Sequence, residues 1–354
     1  MKLKKFREIA TGRDVYPYLI FDLKNIRYLT GFEGSNAFLL IYPDKAFFIT
    51  DSRYEEYAGG ILTNEYEFVL QEKSFYDTLS RVISEGEKNL YLEEHSASFS
   101  NYNELKKKFP QLKIESGGSI VNELRAVKNA DEIEKIRKAV KITDECFSHL
   151  LSTIRPGITE WDIVMEAEIF SKMKSARRMA FDTIAASGKN SSMPHYFPSP
   201  SKILQNGENV LIDMGCEFEG YNSDLTRTVF LGEIPEELRK IYSVVLESQR
   251  RAISAAKPGM SAGELDAVAR DYISANGFGS NFGHSLGHGV GLDVHEAPAV
   301  KGGGEMILKS GMVITVEPGI YVQGCGGVRI EDVILIREEG AEILTSADKD
   351  IIII

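Results

Sequence analysis

The sequence predicts an α+β protein in which two related helix-helix-strand halves pack their helices on one face of a curved antiparallel sheet. A repeat predicts the two halves: Pro-Gly-Ile-Thr at residues 156–159 returns as Pro-Gly-Met-Ser at 258–261, about a hundred residues later. Strands and a glycine-bearing hairpin follow each copy. Short apolar runs alternate with helical patterns before this region, which predicts a smaller α/β domain at residues 1–122 and a larger domain at 123–354.

Composition and charge exclude several classes of protein. Of the 354 residues, 43% are hydrophobic and 26% are charged, which is typical of a globular chain with a sizeable core. The formal net charge of −11 argues against binding to nucleic acid through phosphate contacts. No apolar run approaches the ~18 residues of a membrane span, and none follows the basic start as in a signal peptide. Three widely spaced cysteines exclude a disulfide framework and favour the cytoplasm.

In the first domain, apolar runs and turn residues define the predicted elements. Strands are expected at residues 37–41 and 46–49, on either side of a Tyr-Pro-Asp-Lys turn, and again at residues 89–92. Residues 73–84 have the amphipathic spacing of a helix. The glycine-rich residues 116–119 are expected to form a loop near the domain boundary.

Helix-start signals open both halves of the second domain. Asn129 is a good N-cap, and the apolar positions after it repeat at helical spacing. Thr159 followed by Asp162 has the spacing of a capping box, which predicts a second helix after the first. Ser261 and Glu264 repeat this capping box in the other half, so the two halves are expected to share their helix pair.

Two predicted hairpins each carry a pair of acids. If the first loop is centred between Phe218 and Glu219, Asp213 and Asp224 face each other with Cβ atoms ~5 Å apart. Facing carboxylates are destabilising unless a positive charge lies between them.

The second hairpin repeats this arrangement. Glu317 and Glu331 are symmetric about Gly324, although Pro318 could shift the pairing through a bulge. Four acids in two symmetric hairpins are difficult to explain as solvated surface, so the pattern indicates a cation site.

Histidines complete the predicted site. His284, His288 and His295 fall within one glycine-rich segment, and His195 lies in a loop beside Pro194. Oxygen-rich ligation with one imidazole favours Mn, Fe, Co or Mg over the Cys/His sites of structural zinc. Two such ions ~3.5–4 Å apart would activate a water and polarise a carbonyl, so the residues predict metal-assisted hydrolysis.

The motifs around these residues resemble, in order, the five ligand motifs of the pita-bread dinuclear metallopeptidases. The first domain resembles the creatinase/prolidase-type N-terminal domain, so the resemblance covers nearly the whole chain. The matching segments are IDMG (212–215), SDLTRT (223–228), GHGVG (287–291), VEPG (316–319) and VRIED (328–332), with NIRYLTGF (25–32) and DSRY (51–54) in the first domain.

This resemblance implies two divalent metal ions per subunit, with manganese foremost and cobalt, zinc or iron as alternatives. Asp213 would chelate one ion, and Asp224 and Glu331 would bridge both. His288 and Glu317 would bind the other ion, and Glu317 would also accept a proton from the bridging water.

The resemblance also implies roles for five further residues. His195 and His295 would hydrogen-bond the scissile carbonyl or the tetrahedral intermediate and help to pass a proton to the departing proline nitrogen. His284 would line the pocket for the proline ring. Arg329 and Thr226 would hydrogen-bond the metal-binding carboxylates without binding the ions themselves.

Within the group, the chain is most similar to Xaa-Pro aminopeptidase, and Xaa-Pro dipeptidase (prolidase) is the alternative. Some prolidases hold the free carboxylate of proline with an arginine after the last histidine, but residues 297–304 offer only Lys301 as a cation. A non-catalytic peptide-binding relative is a remote alternative, since such proteins typically lose ligands. The expected partners are peptides with proline in the second position and a second copy of the chain.

Overall fold

The structure is a computed structural model that describes residues 2–354. The chain forms two compact units, Met1–Arg125 and Ala126–Ile354. The boundary expected after residue 122 falls inside the helix Ile120–Ala126. Among residues 2–354, no helix combines the length and the apolar character that crossing a membrane requires.

The first unit alternates helices and strands around a six-stranded mixed sheet. Its elements are α1 (Lys2–Arg13), β1 (Tyr18–Ile20), α2 (Leu23–Thr30), β2 (Phe38–Ile41), β3 (Ala46–Asp51), α3 (Glu55–Ile61), β4 (Glu67–Gln71), α4 (Phe75–Val82), β5 (Asn89–Leu92), α5 (Phe99–Lys108), β6 (Lys113–Ser116) and α6 (Ile120–Ala126). The strand order is β4-β3-β2-β1-β5-β6. The three strands and the helix predicted in this region are therefore confirmed as β2, β3, β5 and α4.

The second unit has two helix pairs, each followed by antiparallel strands. Its elements are α7 (Ala130–Thr153), α8 (Glu160–Met173), β7 (Arg178–Met179), β8 (Ile184–Ser187), β9 (Asn209–Met214), β10 (Cys216–Phe218), β11 (Tyr221–Asn222), β12 (Leu225–Phe230), α9 (Glu236–Ala255), α10 (Ala262–Ala275), β13 (Gly287–Gly289), β14 (Glu296–Val300), β15 (Val313–Val316), β16 (Gly319–Val322), β17 (Gly326–Arg329), β18 (Asp332–Arg337) and β19 (Gly340–Ile343). Short 3₁₀ helices occupy Ser52–Tyr54 in the first unit and Gly188–Ser192 and Gly279–Asn281 in the second.

The sequence repeat corresponds to a structural repeat. Both predicted capping boxes are present, with Thr159 as the N-cap of α8 and Ser261 as the N-cap of α10. Each of these N-cap residues also forms an isolated antiparallel bridge, Thr159 with Ile203 and Ser261 with Ile307. The same local contacts therefore hold the second helix in each half.

The first acidic hairpin has a register different from the predicted one. Asp213 pairs with Thr226 in the β9–β12 ladder, so Asp224 lies two residues along the strand from the expected position. The turn causes this shift, because Glu219 and Gly220, with φ of 48° and 86°, place its centre one residue later than expected. Because the shift is an even number of residues, the two aspartates still share a sheet face.

The second acidic hairpin has the predicted register. β16 and β17 pair symmetrically about Gly324, and β15 and β18 continue the same register. Glu317 and Glu331 therefore occupy opposite positions in the short gap between the two ladders. Pro318 does not shift this pairing.

The C-terminal residues return to the first half of the second unit. Ile353 forms a parallel bridge with Phe230 at the end of β12. Arg227, also in β12, donates from Nη2 to the carbonyl oxygen of Ala347 at 2.7 Å and to Oδ1 of Asp332 at 2.8 Å. The last residues of the chain are thus tied to a strand that begins directly after Asp224.

Candidate active site

One cavity in the second unit is lined by nearly all of the chemically reactive residues predicted from the sequence. Its volume is about 460 Å³. The predicted residues that line it are the five expected metal ligands, the three other candidate histidines and one arginine: Asp213, Asp224, His288, Glu317, Glu331, His195, His284, His295 and Arg329. Thr226 does not line the cavity, but it hydrogen-bonds to Arg329 and Glu331, which do.

The five expected ligands lie within strands or directly beside them in both halves. Asp213 is the penultimate residue of β9, and Asp224 directly precedes β12. His288 is the central residue of β13, Glu317 follows β15 and Glu331 precedes β18. The two acidic hairpins thereby bring together side chains that are far apart in sequence.

One imidazole lies among the carboxylates. Asp224, His288 and Glu331 each offer a ligand atom, and these atoms all lie within 4.8 Å of one another. The Nε2 atom of His288 is 3.3 Å from Oε1 of Glu317 and 3.6 Å from Oδ2 of Asp224. Carboxylate oxygens with one imidazole form a donor set suited to a divalent first-row metal ion.

Two carboxylate oxygens in this cluster are buried without a hydrogen-bond partner among the residues described. They are Oδ1 of Asp213 and Oε1 of Glu331. A buried polar atom without a partner is unfavourable, and in native proteins such an atom usually contacts a bound water molecule or ion. These free oxygens fit a metal centre, since a cation would use the lone pairs that no protein donor reaches.

Burial and mutual repulsion favour the protonated, neutral forms of three carboxyl groups in the cluster. Burial raises the pKa of Asp224 well above its ordinary value, and the charges of Glu331 and Asp213 add to this effect. Burial likewise raises the pKa of Glu331, with Glu317 and Asp213 as the main repelling neighbours. The pKa of Asp213 is raised by burial although Arg329 opposes the shift. A bound cation would reverse this balance and favour all of the carboxylates in their ionised form.

Glu317 and His288 behave as an attractive pair. Burial acts to raise the pKa of Glu317, but the hydrogen bond and charge of His288, together with Arg329, hold it below its ordinary value. Burial acts to lower the pKa of His288, but Glu317 raises it overall. Glu317 is therefore the carboxylate of the cluster that most readily carries a negative charge.

Arg329 connects the cluster to the surrounding sheet. Its Nη2 atom donates to Oδ2 of Asp213 at 2.5 Å, and its Nε atom donates to Oγ1 of Thr226 at 3.0 Å. Its Nη1 atom donates to the hydroxyl of Tyr321 at 2.8 Å. Thr226 in turn donates from Oγ1 to Oε2 of Glu331 at 2.8 Å. Arg329 and Thr226 thus hydrogen-bond two of the five expected ligands, Asp213 and Glu331.

Thr315 and Tyr321 also belong to this network, although no sequence motif indicated a place for them in it. The Thr315 hydroxyl accepts from the backbone N–H of His288 at 3.1 Å and donates to Oε1 of Glu317 at 3.3 Å. Its position two residues before Glu317, on the same strand face, is a signal that could have identified it. The Tyr321 hydroxyl lies 3.0 Å from Nε2 of His284.

The three other histidines differ in their surroundings. His284 is held through Nδ1, 2.7 Å from the carbonyl oxygen of Ser285, and burial lowers its pKa. The ring of His295 lies 4.2 Å from that of His288, and burial together with this neighbour lowers the pKa of His295. His195 is exposed in the loop after the 3₁₀ helix at Gly188–Ser192 and lines the cavity.

Metal binding is expected to release protons, and the affinity for the metal is expected to fall as the pH is lowered. The raised pKa values of Asp224 and Glu331 mean that the metal-free cluster holds protons that a cation must displace. Folding raises these pKa values, so the contribution of these two groups to the stability of the metal-free chain should fall as the pH rises above about 4. Calorimetric titration with Mn²⁺ in two buffers of different ionisation enthalpy checks the prediction. A binding heat that is independent of the buffer would contradict it.

Comparisons with known proteins agree with the sequence resemblance. The model of "Metallopeptidase family M24" matches residues 134–338, and that of "Creatinase/Prolidase N-terminal domain" matches residues 2–127. A protein named Xaa-Pro dipeptidase from Pyrococcus horikoshii is 38% identical over 358 residues, which cover 99% of this chain and 98% of that protein.

Two solved structures extend the similarity over the full chain. A structure described as Xaa-Pro dipeptidase from Bacillus anthracis has a TM-score of 0.95 at 38% identity, covering 100% of this chain and 99% of that one. An X-Pro aminopeptidase from Thermotoga maritima has a TM-score of 0.86 at 36% identity, with 98% and 100% covered. The predicted pita-bread domain and creatinase-type N-terminal domain are thereby confirmed, and the chain belongs to metallopeptidase family M24.

Proposed function

We propose that this chain is a metal-dependent Xaa-Pro dipeptidase, which hydrolyses the bond between a first residue and a following proline. The observation that carries the proposal is the buried cluster of four acids and one imidazole, open to a cavity that three more histidines line. Proline is assigned from the relatives, since both Xaa-Pro dipeptidases and an X-Pro aminopeptidase are similar over nearly the whole chain.

In this proposal, Asp213, Asp224, His288, Glu317 and Glu331 hold two divalent ions, with manganese as the first candidate. Such ions, when bound, polarise a carbonyl group and lower the pKa of a water molecule. The unsatisfied oxygens of Asp213 and Glu331 support this assignment.

The remaining steps fall to side chains of the chain itself. Glu317, whose pKa is held low by His288, accepts a proton from the attacking water. His195 and His295 donate hydrogen bonds to the carbonyl oxygen as negative charge develops on it. The proline nitrogen carries no hydrogen in the peptide and must be protonated to leave, so these histidines help to pass to it the proton that Glu317 accepted from the water. His284, fixed by Tyr321, borders the proline site.

A specific observation favours a second candidate, an Xaa-Pro aminopeptidase that acts on longer peptides. A dipeptidase must bind the free carboxylate of its proline. Among the described residues that line the cavity, Arg329 is the sole lysine or arginine, and it already binds Asp213, Thr226 and Tyr321. Lys301 is exposed and does not line the cavity.

The two candidates predict different substrate preferences. The chelated protein is resupplied with Mn²⁺ or Co²⁺ and assayed on Xaa-Pro dipeptides, Xaa-Pro-Yaa tripeptides and Xaa-Ala controls. We expect metal-dependent cleavage of the dipeptide, slower cleavage of the tripeptide and little action on Xaa-Ala. Faster cleavage of the tripeptide would establish the second candidate. Absence of cleavage with every metal would overturn both and favour a peptide-binding role.

A further inference from the structure

A buried ion pair that the proposed chemistry does not use lies beside His295. The Nζ atom of Lys128 is 2.9 Å from Oε1 of Glu296, and the two side chains are 1% and 8% exposed. Glu296 follows His295 directly and begins β14. Desolvation of two charges largely offsets their attraction, so a buried pair is a poor explanation of stability by itself. Its position in the chain suggests a different role.

The loop between β13 and β14, which ends in His295, is fixed from two sides. The side-chain amide of Asn222 donates to the carbonyl oxygens of Gly291 and Leu292 at 3.0 and 3.1 Å. On the other side, Oε2 of Glu296 accepts from the backbone N–H of Asp293 at 3.3 Å. The Glu296 carboxylate also packs against Gly291, where an added Cβ would lie 2.5 Å from Oε1.

Lys128 is held by groups outside this loop. Its backbone N–H donates to the carbonyl oxygen of Gly311 at 2.9 Å, and its Nζ donates to that of Ala126 at 3.3 Å. The ammonium group therefore stays in place if the loop moves. Glu296 is drawn to a fixed counter-charge, which together with its ladder pairing to Gly289 fixes where β14 begins and thus where the residue before it lies.

We propose that Lys128 and Glu296 are positioning residues, which fix the imidazole of His295 against His288 for the reaction. The inference rests on the function proposed above for His295. The rings of the two histidines are 4.2 Å apart, and none of the five expected metal ligands belongs to the loop. Release of the pair would therefore displace His295 and leave the metal-binding residues where they are.

The test distinguishes an effect of the ion pair on the stability of the protein from an effect on the position of His295. Lys128→Met alone leaves a buried carboxylate without its partner and should lower both Tm and kcat. The double variant Lys128→Met/Glu296→Leu removes both charges and should recover most of the Tm. Its kcat should stay lower by about 10- to 100-fold, with KM little changed, because small displacements of a reacting group have effects of this size. Recovery of kcat together with Tm would overturn the proposal.

Two further measurements show whether the pair acts through His295. In a His295→Ala background, the double substitution should produce no additional loss of kcat, and an undiminished loss there would contradict the proposal. Mn²⁺ stoichiometry should equal that of the wild-type protein. The matched control removes an exposed pair on α9, Arg251→Met/Glu247→Leu, which should change neither kcat nor metal content.

The proposed function and this inference fail in different ways. If His295→Ala keeps full kcat, the proposed role of His295 is wrong, whatever the pair does. The NMR resonances of the His295 ring report its position without any turnover. They should shift in the Lys128→Met/Glu296→Leu variant, and unchanged resonances would overturn the positioning role.

Discussion

Asp224→Asn is expected to abolish tight binding of at least one divalent ion and to lower kcat/KM by about 10³-fold or more. The carboxylate is buried, and its oxygen lies within 4.8 Å of the ligand atoms of both His288 and Glu331. The amide keeps the shape of the side chain but removes its charge and one of its two oxygen donors. Metal content by mass spectrometry and kcat/KM on an Xaa-Pro dipeptide measure the two effects.

Glu217→Gln provides the matched control for this variant. Glu217 is a buried acid in the same hairpin, but it pairs with Arg178 at 2.7 Å and does not line the cavity. The control should keep its full metal content, even if the loss of the ion pair lowers its Tm. An Asp224→Asn protein that retains both metal and activity would contradict the proposed ligand set.

Arg329→Leu is expected to lower the free energy of unfolding of the metal-free protein by about 3–5 kcal/mol at pH 8. The arginine side chain is 4% exposed, and its removal leaves Asp213 without its counter-charge. Thr226 and Tyr321 lose a donor at the same time. Urea unfolding followed by circular dichroism measures the loss. The loss should be smaller with Mn²⁺ present, since the cation then supplies positive charge to the carboxylates.

Arg337→Leu is the corresponding control. Arg337 pairs with Glu342 at 2.7 Å, but its side chain is 52% exposed, so its loss should be below about 1 kcal/mol. Equal losses in the two variants would show that Arg329 contributes no more than an ordinary surface pair.

The two acidic hairpins show how far sequence patterns can locate a site. The symmetry about Gly324 predicts the correct register for Glu317 and Glu331, because a symmetric glycine-containing loop closes that hairpin. The first hairpin turns through Glu219, which adopts a positive φ that few non-glycine residues adopt. A pattern of residue types does not reveal this conformation, so the predicted register was displaced by two residues. The aspartates nevertheless share a face, because the side-chain period of a strand is two.

The contacts that fix the site are less accessible to sequence reasoning. Asp213 and Arg329 lie in different halves, and their pairing depends on how the two hairpins approach each other. The family resemblance implied only that Arg329 would contact the carboxylates, without indicating Asp213 as its partner. Lys128 and Glu296 gave no sequence signal at all, since an isolated lysine and an isolated glutamate are normally solvated. Long-range packing alone identifies them as partners.

The return of the C-terminal residues to β12 has a consequence for biosynthesis. The first half of the second unit is synthesised and emerges from the ribosome well before Glu331, the last of the five expected ligands, is added. Ile353, which bridges Phe230, emerges later still. Asp213 and Asp224 are therefore present on the nascent chain without their partner residues while more than a hundred further residues are added. If the five expected ligands hold the metal, the full set is complete only after the second hairpin has been translated.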